Sequence, residues 1–420
     1  MKYFFPLLII FFFSGCRTVD IRLPDYETAA ERSFFSGKFD YPFSEPHIVI
    51  NRKEPANIVG GAVLDNVFYS RDTGKTWHKN KLQSRYGVYG DPVLISDSRG
   101  RVYYFHLASG LRKGGHWLEG IVMQYSDDGG TTWNDGILIG KNGEKQQDKP
   151  WPAVDSKTQR LALAWTEFDK YGSKNPEDKS RILISFSDDQ GENWSKPLRI
   201  NDIEGDCLDD DKTVEGAVPL FDNDGNVYVV WAYDGKIWLD YSTDGGKTWH
   251  KDQPIAEQEA GWSFDVEGIY RTNGLPNFKM DDKENFYVIF GDYNEETGAD
   301  IKMIYSKNKG KTWHGPQLLG DVNRDQFFPA FSLDKHGNII MLYYDRSQTK
   351  GPLTEVKLLF YNPARKTRKI LEMSEKPFVP VKDVFFGDYI GLDYYKGIIA
   401  AVWTEISDKK STALKIKIIK

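Results

Sequence analysis

Short runs of alternating or continuous apolar residues recur along the chain, separated by polar turns rich in glycine and aspartate. Typical runs are GIVMQY at 120–125, RILISF at 181–186 and KIWLDY at 236–241. Runs of this length predict β-strands, because successive side chains of a strand point to opposite faces of the sheet. The pattern therefore predicts an all-β chain.

A ten-residue motif follows five of these strands. Its copies are YSRDTGKTWH (69–78), YSDDGGTTWN (125–134), FSDDQGENWS (186–195), YSTDGGKTWH (241–250) and YSKNKGKTWH (305–314), and their aligned serines are 55–64 residues apart. Serine and aspartate side chains close turns on nearby backbone amides, and glycine tolerates a positive φ. Tryptophan offers a large face for burial on the next strand. The motif therefore predicts a structural hairpin turn, although its polar residues look catalytic.

These copies resemble the Asp box, or BNR repeat, of sialidases and related β-propellers. The resemblance implies that each copy joins the two outer strands of a blade, away from the ligand pocket. Inner-strand segments recur between the boxes and raise the count to seven units, two of which have no box. We predict one β-propeller with Asp-box turns over residues 45–420. Seven blades are expected, six are the alternative count, and a two-domain sandwich would leave the single period unexplained.

The N-terminus has the pattern of a secretory signal over residues 1–16. Lys2 precedes an apolar run at 4–13, which is too short to span a bilayer as a helix, and Ser14-Gly15-Cys16 follows. Small residues before a cysteine resemble the bacterial lipoprotein cleavage site. The resemblance implies that Cys16 is lipidated and that this anchor alone holds the protein to the membrane of the cell envelope. Residues 17–44 are expected to form a tether and to supply a ring-closing strand, at 20–24 or at 38–43.

Charge and cysteine content exclude several classes. The net charge is −6 and the mean hydropathy is −0.54, with no basic region suited to nucleic acid. Cys207 is the only cysteine besides Cys16, so the mature chain can form no intrachain disulfide. No cofactor and a monomer are expected. Calcium near Asp206, Asp209 and Asp211 is a weaker hypothesis, because their loop lacks EF-hand spacing.

Candidate chemistry lies where the connections into the innermost strands converge, at the axis of the propeller. Arginine pairs with carboxylate or sulfate groups, and aromatic rings stack on sugar faces. Such residues precede or begin the inner strands, which predicts a site for an acidic glycan. The catalytic candidates are Asp91, Glu215 and Tyr389, and the substrate-binding candidates are Arg271, Arg324, Arg346, Asp148, Trp151, Asp325 and Asp388.

The sialidase resemblance implies an exo-acting glycoside hydrolase that holds a substrate carboxylate with three arginines. It also implies a tyrosine nucleophile assisted by glutamate, and an aspartate as acid and base. The chain departs from the family pattern in two respects: IRLP at 21–24 is not followed by an apolar strand, and seven blades are expected where sialidases have six. Two alternatives remain open at this stage: a non-catalytic glycan-binding propeller, and a polysaccharide lyase with a tyrosine or histidine base.

Overall fold

A computed structural model describes residues 32–35, 43–108, 118–321, 323–408 and 411–420. The predicted signal peptide, Cys16 and the segment 20–24 lie outside the described residues. Within the described ranges, no helix has the length and apolar character that a bilayer crossing requires.

The described residues form seven antiparallel four-stranded sheets, each of which is one blade, and one two-stranded hairpin. Strand β1 (Arg32–Phe35) comes first in the chain but belongs to the last blade, blade 7. Blade 1 contains β2 (His47–Ile50), β3 (Ile58–Ala62), β4 (Asn66–Ser70) and β5 (His78–Lys81). Blade 2 contains β6 (Val93–Ser96), β7 (Val102–Leu107), β8 (Ile121–Ser126) and β9 (Ile137–Ile139). Blade 3 contains β10 (Gln146–Val154), β11 (Leu161–Phe168), β12 (Ser180–Ser187) and β13 (Leu198–Arg199).

Blade 4 contains β14 (Glu215–Phe221), β15 (Val227–Tyr233), β16 (Lys236–Ser242) and β17 (Gln253–Glu257). A small hairpin follows, made of β18 (Ser263–Phe264) and β19 (Thr272–Asn273). Blade 5 contains β20 (Asn277–Met280), β21 (Phe286–Asn294), β22 (Gly298–Ser306) and β23 (His314–Leu318). Blade 6 contains β24 (Gln326–Leu333), β25 (Ile339–Asp345), β26 (Glu355–Asn362) and β27 (Thr367–Glu372). Blade 7 contains β28 (Gly391–Tyr395), β29 (Ile398–Asp408), β30 (Ser411–Ile419) and β1.

The blades form a closed ring. The first strands of successive blades lie side by side around the axis, and β28 of blade 7 returns to β2 of blade 1. Strand β1 closes blade 7 by pairing with β30, with Arg32 opposite Ile416 and Phe35 opposite Ala413. The prediction of seven blades is confirmed. The closing strand lies within the expected range 17–44, but between the two segments proposed for it.

Packing between neighbouring blades explains the continuous apolar runs of the middle strands. Every residue of β7 and of β25 is buried, because both faces of these strands meet an adjacent sheet. Val59 and Val67 of blade 1, for example, belong to one core with Val102 and Tyr104 of blade 2. The core is therefore a set of inter-blade layers around the ring.

The Asp boxes join the third and fourth strands of blades 1–5. In blade 4 the amide of Gly246 donates to Ser242 Oγ at 2.8 Å, and Ser242 Oγ donates to Asp244 Oδ1 at 2.8 Å. Asp244 Oδ1 in turn accepts from the amide of Thr248 at 2.9 Å. The other four boxes repeat these three bonds, with Asn308 in the aspartate position of the fifth. The boxes are turns at the end of the blades opposite the start of the inner strands.

We expect Ser242→Ala to lower the free energy of unfolding by about 1–2 kcal/mol, because the buried amide of Gly246 loses its acceptor. Urea denaturation would measure the loss, with the exposed neighbour substitution Thr243→Ala as the control. Equal stability of the two variants would contradict a stabilising role for the box.

Candidate active site

One backbone feature recurs where the inner strands begin. Glu45, Asp91, Lys149 and Phe328 each precede a proline and have a positive φ of 49–52°. This left-handed conformation is unfavourable for residues other than glycine, so the surrounding fold must enforce it. The positive φ occurs where the inner strand begins in blades 1, 2, 3 and 6, at one end of the axis.

An ionic cluster lies at this end of the axis, and Asp388 is at its centre. The carboxylate of Asp388 accepts from Lys149 Nζ at 2.6 Å and from Arg271 Nε at 2.7 Å. Arg271 Nη1 also donates to Asp209 at 2.9 Å. Burial would raise the pKa of Asp388, but the charges of Arg271 and Lys149 outweigh burial and hold that pKa well below its usual range. Asp388 is therefore ionised at neutral pH.

The pKa values of the neighbouring aspartates are raised instead of lowered. Burial, reinforced by the charge of Asp91, raises the pKa of Asp148 to about 8. Burial also raises the pKa of Asp91, against the opposing charge of Lys149 and a hydrogen bond with the carboxyl group of Asp148. No nitrogen or hydroxyl donor among the described residues reaches Asp91 Oδ2. The Asp91–Asp148 pair therefore shares a proton at neutral pH, and the two groups titrate together.

The pKa values of two glutamates at the same end are also raised. Burial raises the pKa of Glu215 well above its usual value, and the charge of Asp209 adds to the shift. Neither carboxyl oxygen of Glu215 meets a nitrogen or hydroxyl donor in the described part of the chain. Burial and the charge of Asp91 likewise raise the pKa of Glu45. Burial thus raises the pKa values of Glu45, Asp91, Asp148 and Glu215, whereas the pKa of Asp388 is lowered.

A cavity of about 80 Å³ lies along the axis next to this cluster. Asp91, Lys149, Asp388 and Tyr389 contribute to its lining, together with His47, Trp151, Asn273 and Lys279, and its walls include Val218, Phe278, Phe331 and Leu392. The hydroxyl of Tyr389 donates to the carbonyl of Pro92 at 3.1 Å, and its ring packs edge-to-face on Trp151. Burial and the charge of Glu45 raise the pKa of Tyr389, so its hydroxyl is protonated.

The structure brings most of the predicted site residues to this end of the axis. They are Asp91, Asp148, Trp151, Glu215, Arg271, Asp388 and Tyr389. Sequence reasoning did not select Glu45 or His47. The signal for Glu45 was present, because Glu45-Pro46 has the same form as Asp91-Pro92 at the start of an inner strand.

Arg324, Arg346 and Asp325 do not join Arg271. Arg324 donates to the carbonyls of Thr349 and Gly351, which lie in a loop of blade 6. Arg346 is fully buried and bonds to Asp325 at 3.2 Å. These three residues hold the loops of blade 6 together, and the expected grouping of three arginines is not formed by Arg271, Arg324 and Arg346.

Comparisons with known proteins agree with this architecture. Residues 240–251 match the family described as the BNR/Asp-box repeat. A sialidase of Clostridium perfringens is 24% identical over 217 residues, which cover 44% of this chain and 52% of the relative, so the chain spans about half the length of that protein. The structure of the NanB sialidase of Streptococcus pneumoniae superposes with a TM-score of 0.52 and 12% identity, over 80% of this chain and 68% of that one. The chain is thus a seven-bladed β-propeller with Asp-box turns, and it is similar to sialidases in sequence and in fold. An ulvan lyase, a polysaccharide lyase bound to -[GlcA(1-4)Rha3S]-, shares the fold of this propeller with a TM-score of 0.55 and 10% identity, over 91% of this chain and 95% of the lyase.

Acidic residues of this sialidase-like propeller also meet away from the axis. Asp222, Asp224 and Glu284 are close enough together to bind a metal ion. The ammonium group of Lys309 lies among them, at 3.0 Å from Asp222, 2.8 Å from Asp224 and 3.0 Å from Glu284. Lys309 belongs to the Asp box of blade 5, so this cluster fastens that box to turns of blades 4 and 5.

The acids considered for calcium point to different partners. Asp206 accepts from the hydroxyl of Thr213 at 2.8 Å, Asp209 is bonded to Arg271, and Asp211 accepts from the amide of Gly235 at 3.1 Å. Their carboxylates serve three separate contacts in the propeller.

Proposed function

We propose that this propeller is a glycan-active enzyme, an exo-acting glycoside hydrolase on acidic glycans, with the axial cavity as its active site. One observation carries the proposal: two carboxyl groups that line the cavity lie in opposite electrostatic environments. Asp388 is held ionised by Lys149 and Arg271, whereas Asp91 shares a proton with Asp148. Most glycoside hydrolases use one carboxyl group of each kind beside the scissile bond.

The reaction follows from these two states. The Asp91–Asp148 pair donates its proton to the glycosidic oxygen, and the bond from that oxygen to the anomeric carbon breaks. The carboxylate of Asp388 stabilises the positive charge that develops on the anomeric carbon. Water then adds to this carbon, and its released proton returns to the Asp91–Asp148 pair. Proton donation by a positioned acid contributes about 10²–10⁴-fold to such a rate.

Tyr389 lines the same cavity and is the candidate for a covalent glycosyl acceptor. Its raised pKa means that a base must remove the hydroxyl proton before the oxygen can attack. Glu45 is the neighbouring carboxyl group, but burial raises its pKa as well. Direct attack by water is therefore the simpler route in this electrostatic setting.

The shape of the site favours attack at a chain end. Seven inner strands enclose the axis in a closed ring, so the inside of the cavity is reached along the axis. Trp151 offers an aromatic ring at the wall, which suits the apolar face of a sugar. These features support an exo-acting enzyme.

A lyase is the second candidate, because His47 and Tyr389 both line the cavity. In a lyase reaction a base removes the proton on the carbon next to a uronate carboxyl group. The glycosidic bond to the adjacent carbon then breaks, and a carbon–carbon double bond forms. Burial lowers the pKa of His47 to about 3, so its neutral ring is a weak base, and the role of base would fall to Tyr389.

Product analysis separates these candidates. We would incubate the purified protein with an artificial sialoside, with aryl glycosides of uronic acids and with uronate polysaccharides. The hydrolase proposal expects release of the aglycone or of reducing sugar without new ultraviolet absorbance. New ultraviolet absorbance from a uronate polymer would favour the lyase, and binding without any product would favour a non-catalytic propeller.

A further inference from the structure

The cations at the mouth of the axial cavity are already neutralised by the protein itself. Lys149 bonds to Asp388, and Arg271 bonds to both Asp388 and Asp209. A substrate anion at this position would compete with two carboxylates that are fixed next to the cations. Arg271 and Lys149 therefore keep Asp388 ionised, and their pairing with carboxylates makes them poor binding groups for an acidic substrate.

Lys279 differs from Lys149 and Arg271 because no carboxylate of the described residues forms a salt bridge with it. It is on the inner strand β20, and its side chain lines the cavity and is accessible to solvent. Its ammonium group has no hydrogen-bond or salt-bridge partner among the described residues. The carboxylate that acts on it is Asp393, but Asp393 accepts two bonds from Arg52, both of 2.8 Å, and one from the amide of Ile50 at 2.8 Å. Burial lowers the pKa of Lys279, and the ammonium group is left without its own counter-ion.

The surroundings of Lys279 strengthen its attraction for an anion. His47 is neutral, because burial and the charge of Lys279 lower its pKa to about 3, and its Nδ1 accepts from the amide of Leu94 at 3.2 Å. Phe278 and Leu392 contribute apolar surface to the same cavity. Charges interact more strongly beside such low-dielectric walls than in bulk water.

We propose that Lys279 binds the anionic group of the sugar that enters the axial cavity. The ligand class is a glycan end that carries a carboxylate or a sulfate ester, since a single ammonium group can donate hydrogen bonds to either oxyanion. This inference rests on the proposed function for the glycan itself and adds the residue that selects its charge. It differs from the sequence-based expectation, in which arginines perform that selection.

Calorimetric titration of the purified protein tests the proposal. The probes are glucuronate, N-acetylneuraminate, glucose 6-sulfate and, as the neutral reference, glucose. We expect at least one acidic sugar to bind more tightly than glucose, and Lys279→Met to weaken that binding by about tenfold or more, as expected for loss of a hydrogen bond to a charged group. Lys279→Arg should keep most of the affinity because it keeps the charge. Lys283→Met, an exposed lysine in the next turn, should bind like the unmodified protein.

The comparison between acids identifies the ligand, because tighter binding of the sugar acids indicates a carboxylate and tighter binding of glucose 6-sulfate indicates a sulfate ester. Unchanged affinity in Lys279→Met would overturn the inference, and so would absence of any preference for acidic sugars. The two proposals fail separately. Lys279-dependent binding without turnover would refute the hydrolase alone, whereas turnover that is equal in Lys279→Met and the unmodified protein would refute only the role of Lys279.

Discussion

The Asp388→Asn substitution is expected to lower the free energy of unfolding by about 3–5 kcal/mol, because it leaves the buried ammonium group of Lys149 without its ionised partner. The side chain of Asp388 is 3% exposed, and that of Lys149 is 10% exposed. Arg271 would retain Asp209 as a partner, but Lys149 would keep no carboxylate within salt-bridge distance among the described residues. Urea denaturation at neutral pH measures the loss.

The control for this prediction is Asp383→Asn, at an exposed position shortly before Asp388 in the chain. It should change stability by less than about 0.5 kcal/mol, as is usual for a surface substitution. A similarly small effect for Asp388→Asn would mean that Asp388 is not the counter-ion of the two cations, and the proposed ionised carboxylate would be lost with it.

The Asp91→Asn substitution should have the opposite profile, with little change in stability and a large loss of activity. An asparagine amide has the shape of a neutral carboxyl group, and it can donate to Asp148 in place of the shared proton. It cannot protonate a leaving group, so kcat/KM should fall by about 10²–10⁴-fold on natural glycans. On aryl glycosides with acidic phenol leaving groups, kcat/KM should fall far less, because the phenolate departs without being protonated.

Asp135→Asn provides the matched control for Asp91→Asn, since the side chain of Asp135 is 70% exposed and lies away from the axis. It should leave kcat/KM unchanged on both substrate classes. An equal loss on both classes in Asp91→Asn would indicate a positioning or structural role for Asp91. Full activity on natural glycans would remove Asp91 from the mechanism.

The architecture was predictable because it is repetitive. Each Asp box marks one hairpin, and each buried run marks a strand between two blades, so local patterns repeated along the chain define the ring. The closing strand Arg32–Phe35 was not predictable in the same way. Its four residues have no alternating pattern, and its place is set by pairing with β30 at the far end of the chain.

The position of the site was also predictable, because every inner strand begins at the same end of the axis. The partners of its charged side chains were not. Arg271, Arg324 and Arg346 look equivalent in sequence, but Arg271 reaches Asp388 whereas the other two bond to loops of blade 6. Long side chains are directed by loop conformation, which local sequence determines weakly. The unpaired charge of Lys279 became apparent only from the pairing of Asp393 with Arg52.

The proposed reaction depends on a proton that Asp91, in the lining of the axial cavity, shares with Asp148 at neutral pH. Infrared difference spectroscopy tests it most directly, with the spectrum of Asp148→Asn subtracted from that of the unmodified protein over a pH series. We expect a carbonyl absorption of a protonated carboxyl group that persists at neutral pH and disappears as the pH rises through about 8, the raised pKa of Asp148. A difference spectrum at neutral pH that contains only ionised carboxylate bands would contradict it.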